Sequence, residues 1–183
     1  MVAAVKIDPH DKQFSESSRT ISATIDTGAE AHVGGDMSLF SSGLSPVSGT
    51  VLRAAFGGES DVQVAQGGLV HMIIPTDCGH VATRLFVHYV ASCPHALLIS
   101  EPLLRRTLAD ANWLIGKESV RGEWVLEGND GGAQTLISTD TSNPNKVQVN
   151  VVTSDVFLIN TATVEAAHLH SVFHVLSVKC VTI

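Results

Sequence analysis

The sequence has few aromatic residues and no long uninterrupted apolar stretch. Aromatic residues make up 5% of the 183 residues, whereas apolar residues make up 44%. A core of Val, Leu, Ile and Ala is therefore predicted. No apolar run is long enough to cross a bilayer, and the N-terminus lacks the apolar region of a signal peptide. We expect a folded domain without a membrane partner.

The sequence also lacks a basic cluster and a cysteine framework. The formal net charge is -7, and the densest basic position is Arg105-Arg106. Because nucleic-acid binding depends on a basic patch, no nucleic-acid partner is predicted. The three cysteines are an odd number without framework spacing, which predicts a reduced, intracellular and cytoplasmic location.

Common cofactor and hydrolase motifs are absent. The chain contains no GxGxxG, Walker, HExxH or GxSxG motif, so no cofactor is expected. Two Cys-x-His units, at 78–80 and 93–95, offer an alternative, since alternate strand residues face one side and four such ligands bind zinc. Structural zinc sites use wider Cys spacing. We therefore interpret the units as buried thiols and strand-end histidines and predict no metal site.

Short runs of branched residues separated by turn residues predict a β-rich chain. Residues 20–26 form one candidate strand, and residues 50–66 form a candidate hairpin around Gly57-Gly58. Residues 101–113 are the best helix candidate, with Pro102 in the first turn. The predicted organisation is an N-terminal linker (1–19), a β domain (20–127), a linker (128–146) and a C-terminal extension (147–183).

Residues 23–35, ATIDTGAEAHVGG, place an acid, a hydroxyl and a glycine where a buried strand turns. Asp26 and Gly28 fit an ordinary β-turn. They also fit a catalytic loop in which two carboxylates share one proton and activate a water. In that chemistry, glycine lets the backbone approach the carboxylate, Thr27 bonds to a partner loop, and Ile25 excludes water.

This stretch resembles the retroviral-type aspartic proteases, most closely the protease segment of copia-type retrotransposons. Asp26-Thr27-Gly28-Ala29-Glu30-Ala31-His32-Val33 is similar to the family element D-S/T-G-A-x-x-H. The hairpin at 51–68 is similar to the family's flap, and HALLISEPLLRR (95–106) is similar to its second apolar element. The resemblance covers about residues 20–126. Ser100-Glu101 stand where retroviral enzymes have Gly-Arg.

The resemblance implies an all-β, retropepsin-like fold: a closed, barrel-like domain with a flap hairpin and one short helix. Because the chain has a single Asp-Thr-Gly triplet, two chains must meet about a two-fold axis to supply two aspartates. The implied catalytic residues are Asp26, Thr27 and Gly28. The implied substrate-binding residues are Ala29, Glu30, Phe56, Gly57, Gly58, Leu98 and Ile99.

The expected activity is cleavage of peptide bonds in the chain's own retrotransposon polyprotein, in the cytoplasm or in virus-like particles. The alternative is a non-catalytic, degenerate or domesticated module that dimerises or binds peptide. AAHLHSVFHVLSVKC (166–180) is faintly similar to the start of a pre-integrase segment. An amphipathic helix at 161–178 is the plainer interpretation of that region.

Overall fold

The described part of the chain is mostly β-strand, with one short α-helix, as the sequence predicted. The computed structural model describes residues 18–53, 61–128, 132–153 and 176–177. A single 3₁₀ turn occupies Met37–Leu39. In chain order, the elements are β1 (Ser18–Asp26), β2 (Val33–Gly34), β3 (Ser45–Arg53), β4 (Asp61–Pro75), β5 (His80–Tyr89), β6 (Leu97–Ser100), α1 (Glu101–Ala109), β7 (Trp113–Lys117), β8 (Trp124–Gly128), β9 (Ala133–Thr135), β10 (Lys146–Val152) and β11 (Leu176–Ser177).

The main sheet closes on itself. Its strand order is β11-β5-β2-β6-β1-β10-β4-β3, and an additional antiparallel pairing joins β4 to β5. That pairing runs from Gln66 opposite Tyr89 to Pro75 opposite His80. A second, three-stranded sheet has the order β7-β8-β9. The described strands therefore form a barrel-like sheet and a smaller sheet beside it.

Alternating apolar residues of β1 and β10 fill the centre of the barrel. Ala23 and Ile25 of β1 point into the core, and so do Val147, Val149 and Val151 of β10. Because successive strand residues face opposite sides, this alternation gives each strand one buried face. The two strands pair antiparallel from Ser18 to Thr24. Burial of these side chains fixes the register, since a shift of one residue would expose them all.

The hairpin predicted around Gly57-Gly58 is formed by β3 and β4. These strands pair antiparallel, and Arg53 opposite Asp61 is the last described pair. The turn itself, with the predicted flap residues Phe56, Gly57 and Gly58, lies outside the described residues. The structure thus places the arms of the hairpin and leaves its predicted substrate contacts untested.

Helix α1 begins where the sequence predicted and ends earlier. Ser100 is its N-cap, with its hydroxyl accepting the Leu103 N–H at 3.4 Å, and Pro102 lies in the first turn. The predicted end at residue 113 is wrong. Asn112 adopts a left-handed φ of 64°, which turns the chain so that Trp113 starts β7.

The predicted linker at 128–146 and the boundary before residue 147 are corrected by the structure. Leu136 is buried in the main core, and bridges join Thr76 to Leu136 and Ser138 to Val147. Strand β10 then lies between β1 and β4. Burial of Val149 and its neighbours makes this strand part of the barrel, so the sheet continues past residue 127.

The other terminal predictions fall largely outside the described residues. Of the predicted linker at 1–19, only Ser18 and Arg19 are described, and they begin β1. Of the helix interpretation at 161–178, only Leu176 and Ser177 are described. Those two residues form strand β11 against β5, so they are not helical.

Gly35 marks a close approach between the chain after β2 and the chain before β6. Its N–H donates to the carbonyl oxygens of His95 and Ala96, both at 3.2 Å. A Cβ atom here would lie 2.9 Å from the His95 oxygen and closer still to the Cys93 oxygen. Since both obstacles are backbone atoms, a side chain at this position must displace the chain.

We expect Gly35→Ala to lower the free energy of unfolding by about 1–3 kcal/mol because it overpacks this contact. The control is Gly116→Ala in β7, where an added Cβ meets no atom within 4 Å. Guanidinium denaturation at fixed protein concentration measures both variants. Equal stabilities for the two variants would contradict the packing argument.

Candidate functional site

Asp26 is the last residue of β1, at the point where the strand leaves the barrel. Strand β1 runs parallel to β6, with Asp26 opposite Ser100. The Asp26 Oδ1 accepts the N–H of Gly28 at 2.8 Å, which makes the local turn that ends the strand. Asp26 is partly buried, whereas Thr27 and Gly28 are exposed. The carboxylate thus sits on a fixed turn at the protein surface.

Ser100 ties the loop after Asp26 to the start of helix α1. The side chain is fully buried, and its hydroxyl donates to the Ala29 carbonyl oxygen at 2.6 Å. The Ser100 hydroxyl oxygen also accepts the Leu103 N–H and so caps the helix. One buried hydroxyl therefore joins the Asp26 loop, β6 and α1.

His32 makes the second buried connection to Ser100. Its Nδ1 accepts the Ser100 N–H at 3.1 Å, and its backbone oxygen accepts the His88 N–H at 2.9 Å. The side chain is only 4% exposed. Burial, with a smaller contribution from His88, lowers the pKa of His32 to about 4. His32 is therefore neutral at physiological pH, and its ring proton is on Nε2.

A second apolar cluster packs the hairpin against the Asp26 loop, and we call it the loop–hairpin cluster. Its members come from the loop, from β2, from both hairpin strands, from β6 and from the turn after β5. They exclude water from the space between the loop and the hairpin. The buried members are Val33, Val64, Val90, Cys93 and Leu98, with Ala29, Ala31, Leu52 and Val62 packed against them.

The predicted site residues separate into exposed and buried groups. Thr27, Gly28 and Glu30 are exposed beside Asp26, and Ala29 is partly buried in the loop–hairpin cluster. Within the described residues, the Thr27 hydroxyl makes no hydrogen bond.

Leu98 and Ile99 do not line an open surface. Leu98 is 5% exposed in the loop–hairpin cluster, and Ile99 is 0% exposed in the main core. The prediction that these side chains contact a substrate is therefore corrected. Both lie on β6 directly before Ser100, so packing of this strand from both faces accounts for their burial.

Ser100 and Glu101 are adjacent in the sequence but make different contacts. The Glu101 carboxylate is buried and accepts the Arg105 Nε–H at 2.6 Å within α1. The contact to the loop is made instead by Ser100. Sequence reasoning missed Ser100 and His32 as partners. His32 and Ser100 lie 68 positions apart in the sequence, so local spacing gives no signal of their contact.

The zinc alternative has no assembled ligand set. Among residues 18–53, 61–128, 132–153 and 176–177, no three His, Cys, Asp or Glu side chains lie close enough to share a metal ion. His95 Nδ1 instead lies 3.2 Å from the Thr24 hydroxyl. Cys93 belongs to the loop–hairpin cluster, and burial raises the pKa of its thiol. The two Cys-x-His units thus have separate surroundings.

An open surface groove of about 470 Å³ lies away from Asp26, between β1 and the loop before β10. Its polar groups pair with one another. The Ser22 and Thr139 hydroxyls are 2.7 Å apart, and Lys146 contacts Asp140 at 3.3 Å. These four side chains, which line the groove, therefore already have partners.

No helix in the described part of the chain has the length and apolarity needed to span a membrane.

Comparison with known proteins adds no relative. No protein-family model, curated protein or solved structure gives a significant match to the chain. The functional argument therefore rests on the residues around Asp26 and their geometry.

We expect Ser100→Ala to lower the free energy of unfolding by about 1–2 kcal/mol, because it removes a helix cap and a buried hydrogen bond. The control is Ser119→Ala, an exposed residue in the turn between β7 and β8. Chemical denaturation compares the two variants. A Ser100→Ala protein as stable as the control would show that the hydroxyl does not hold the loop.

Proposed function

We propose that this chain is a retropepsin-like aspartic endopeptidase that acts as a homodimer. The observation that carries the proposal is the setting of Asp26. Its carboxylate lies at the end of a strand that has one buried face, on a turn closed by the Gly28 N–H. The loop that follows is held by the hydrogen bond from the Ser100 hydroxyl to the Ala29 oxygen. A catalytic carboxylate needs such fixed placement beside an accessible surface.

The proposed chemistry uses two Asp26 side chains, one from each chain. Two carboxylates that lie side by side share one proton, because the repulsion between two negative charges disfavours ionisation of both. The ionised Asp26 takes a proton from a water whose oxygen adds to the peptide carbonyl carbon. The protonated Asp26 gives its proton to the carbonyl oxygen. One Asp26 then gives its proton to the nitrogen, the C–N bond breaks, and a hydroxyl on the former carbonyl carbon passes its proton to the other Asp26 as the C=O bond forms again.

Dimerisation follows from the single Asp-Thr-Gly triplet in the sequence. One chain supplies one carboxylate, so a two-fold axis beside Asp26 must supply the other. The exposed Thr27 hydroxyl has no hydrogen-bond partner within the described residues, and it is available to the second loop. This availability supports a pairing of the two loops at the axis.

The hairpin of β3 and β4 supports an extended peptide as substrate. Leu52, Val62 and Val64 pack the hairpin arms against the Asp26 loop through the loop–hairpin cluster. A peptide lying along the exposed side of the loop, next to the hairpin, would add strand-like hydrogen bonds to the protein. The chain's own polyprotein is the proposed substrate, on the resemblance of residues 26–33 to the copia-type element.

We expect Asp26→Asn to lower kcat/KM by at least about 100-fold, because the dyad loses its base. The control is Asp110→Asn, an exposed residue at the end of α1. Both variants and wild type are incubated from mildly acidic to neutral pH with a peptide library and with the proposed polyprotein substrate. The products are identified by mass spectrometry. Cleavage by Asp26→Asn at the wild-type rate would refute the proposal.

We expect the cleavage rate per chain to fall on dilution, because only the dimer has two aspartates. Thr27→Ala should move this fall to a higher protein concentration, whereas Thr141→Ala, on an exposed loop, should leave it in place. Sedimentation velocity follows the dimer in parallel. A dimeric wild-type protein that cleaves nothing would favour the non-catalytic module.

A further inference from the structure

We propose that His32 is a positioning residue for Asp26: in its neutral form, Nδ1 holds the Ser100 N–H and through Ser100 fixes the Asp26 loop, and protonation of His32 releases the loop. The consequence for catalysis rests on the proposed protease function. The structural coupling does not, and it has its own measurement.

The connection from His32 to Asp26 passes through a single buried residue. The Ser100 N–H donates to His32 Nδ1 at 3.1 Å, and the Ser100 hydroxyl donates to the Ala29 oxygen at 2.6 Å. Ser100 is also the parallel partner of Asp26. A displacement of the Ser100 backbone therefore shifts both the strand beside Asp26 and the chain three residues after it.

Protonation of His32 replaces the hydrogen bond to the Ser100 N–H with a contact between two donors. A neutral imidazole offers one acceptor nitrogen, but a protonated imidazole carries N–H on both nitrogens and accepts nothing. Protonated His32 would set its Nδ1–H against the Ser100 N–H. Two buried donors that face each other both lose their partner, which is costly away from water. The Ser100 contact must then open.

The surroundings of His32 disfavour its protonated form. His88 on β5 is the like-charged group that acts on it, and the side chain is almost fully buried. Asp26 and Glu30 lie on the loop, Glu101 is paired with Arg105 on α1, and His95 lies before β6. The same elements also carry Arg106 on α1 and His80, Arg84 and Tyr89 on β5. None of them forms an ion pair with His32 among the described residues.

The sign of the pH effect follows from this burial. The pKa of His32 is lowered from 6.5 to about 4 in the fold. Above pH 6.5, the folded and unfolded chains both carry neutral His32, and its stabilising contact is fully present. As the pH falls from 6.5 towards 4, the unfolded chain binds more protons and the contribution is lost. Acidification therefore weakens the hold on Asp26.

Three variants separate the hydrogen bond from the charge. His32→Asn keeps an acceptor oxygen near the Nδ1 position but cannot titrate. His32→Leu has no acceptor. His71→Asn is the matched control, since burial also lowers the pKa of His71, but this residue lies on β4 opposite Arg84.

NMR titration measures the coupling without any cleavage. In wild type and His71→Asn, the amide shifts of Ser100 and Gly28 should move with the same midpoint as the His32 ring. In His32→Asn, that transition should be absent. Amides that ignore the His32 titration, or a neutral His32 ring with its proton on Nδ1, would overturn the proposal.

Cleavage kinetics measure the consequence. His32→Leu should lower kcat on the order of 100-fold, with little change in KM, because the carboxylate is misplaced and not removed. His32→Asn should restore kcat to near wild type and move the acidic limb of the pH profile to lower pH. If the amides follow His32 but wild type cleaves nothing, the proposed function fails and the coupling stands. If wild type cleaves and all three variants share its profile, the positioning role fails.

Discussion

The parallel pairing of β1 with β6 is the constraint on which the candidate site depends. It places Asp26 beside Ser100, although 74 residues separate them in the sequence. A parallel pair cannot be joined by a tight turn and needs a crossover connection. Here the connection contains β2 to β5, which complete most of the barrel. The Asp26 site therefore depends on formation of the barrel.

The buried polar side chains behind Asp26 give this site its rigidity. Ser100, His32 and Glu101 are all buried, and each has a hydrogen-bond partner. Away from water such bonds are strong, but a missing partner is costly. The neighbouring apolar clusters keep water out. Thr27 and Gly28, in contrast, are exposed on the same loop. The loop is thus held by buried contacts on one side and exposed to solvent on the other, as a binding or catalytic surface requires.

The scarce aromatic residues stabilise the smaller sheet. Trp113 and Trp124 are both buried in the main core, together with Leu126 and Leu136. Trp124 Nε1 donates to the Asn145 side chain at 3.3 Å, and the Lys117 ammonium lies 4.9 Å from the Trp124 ring. These contacts hold the sheet after α1 against the barrel. This core extends past residue 127, through Leu136 and as far as Val151 of β10.

Four features could be predicted from the sequence: the strand that ends at Asp26, the arms of the hairpin, the start of α1 at Glu101 and the β-rich class. Each depends on local features: alternating apolar residues, turn formers and an early Pro102. The remaining features depend on contacts between residues that are distant in the chain, and neither composition nor spacing predicts such contacts. These features are the position of β10, the burial of Ile99 and the contacts of Ser100 with Ala29 and His32. Propensity describes what a segment prefers, whereas burial depends on which segment it meets.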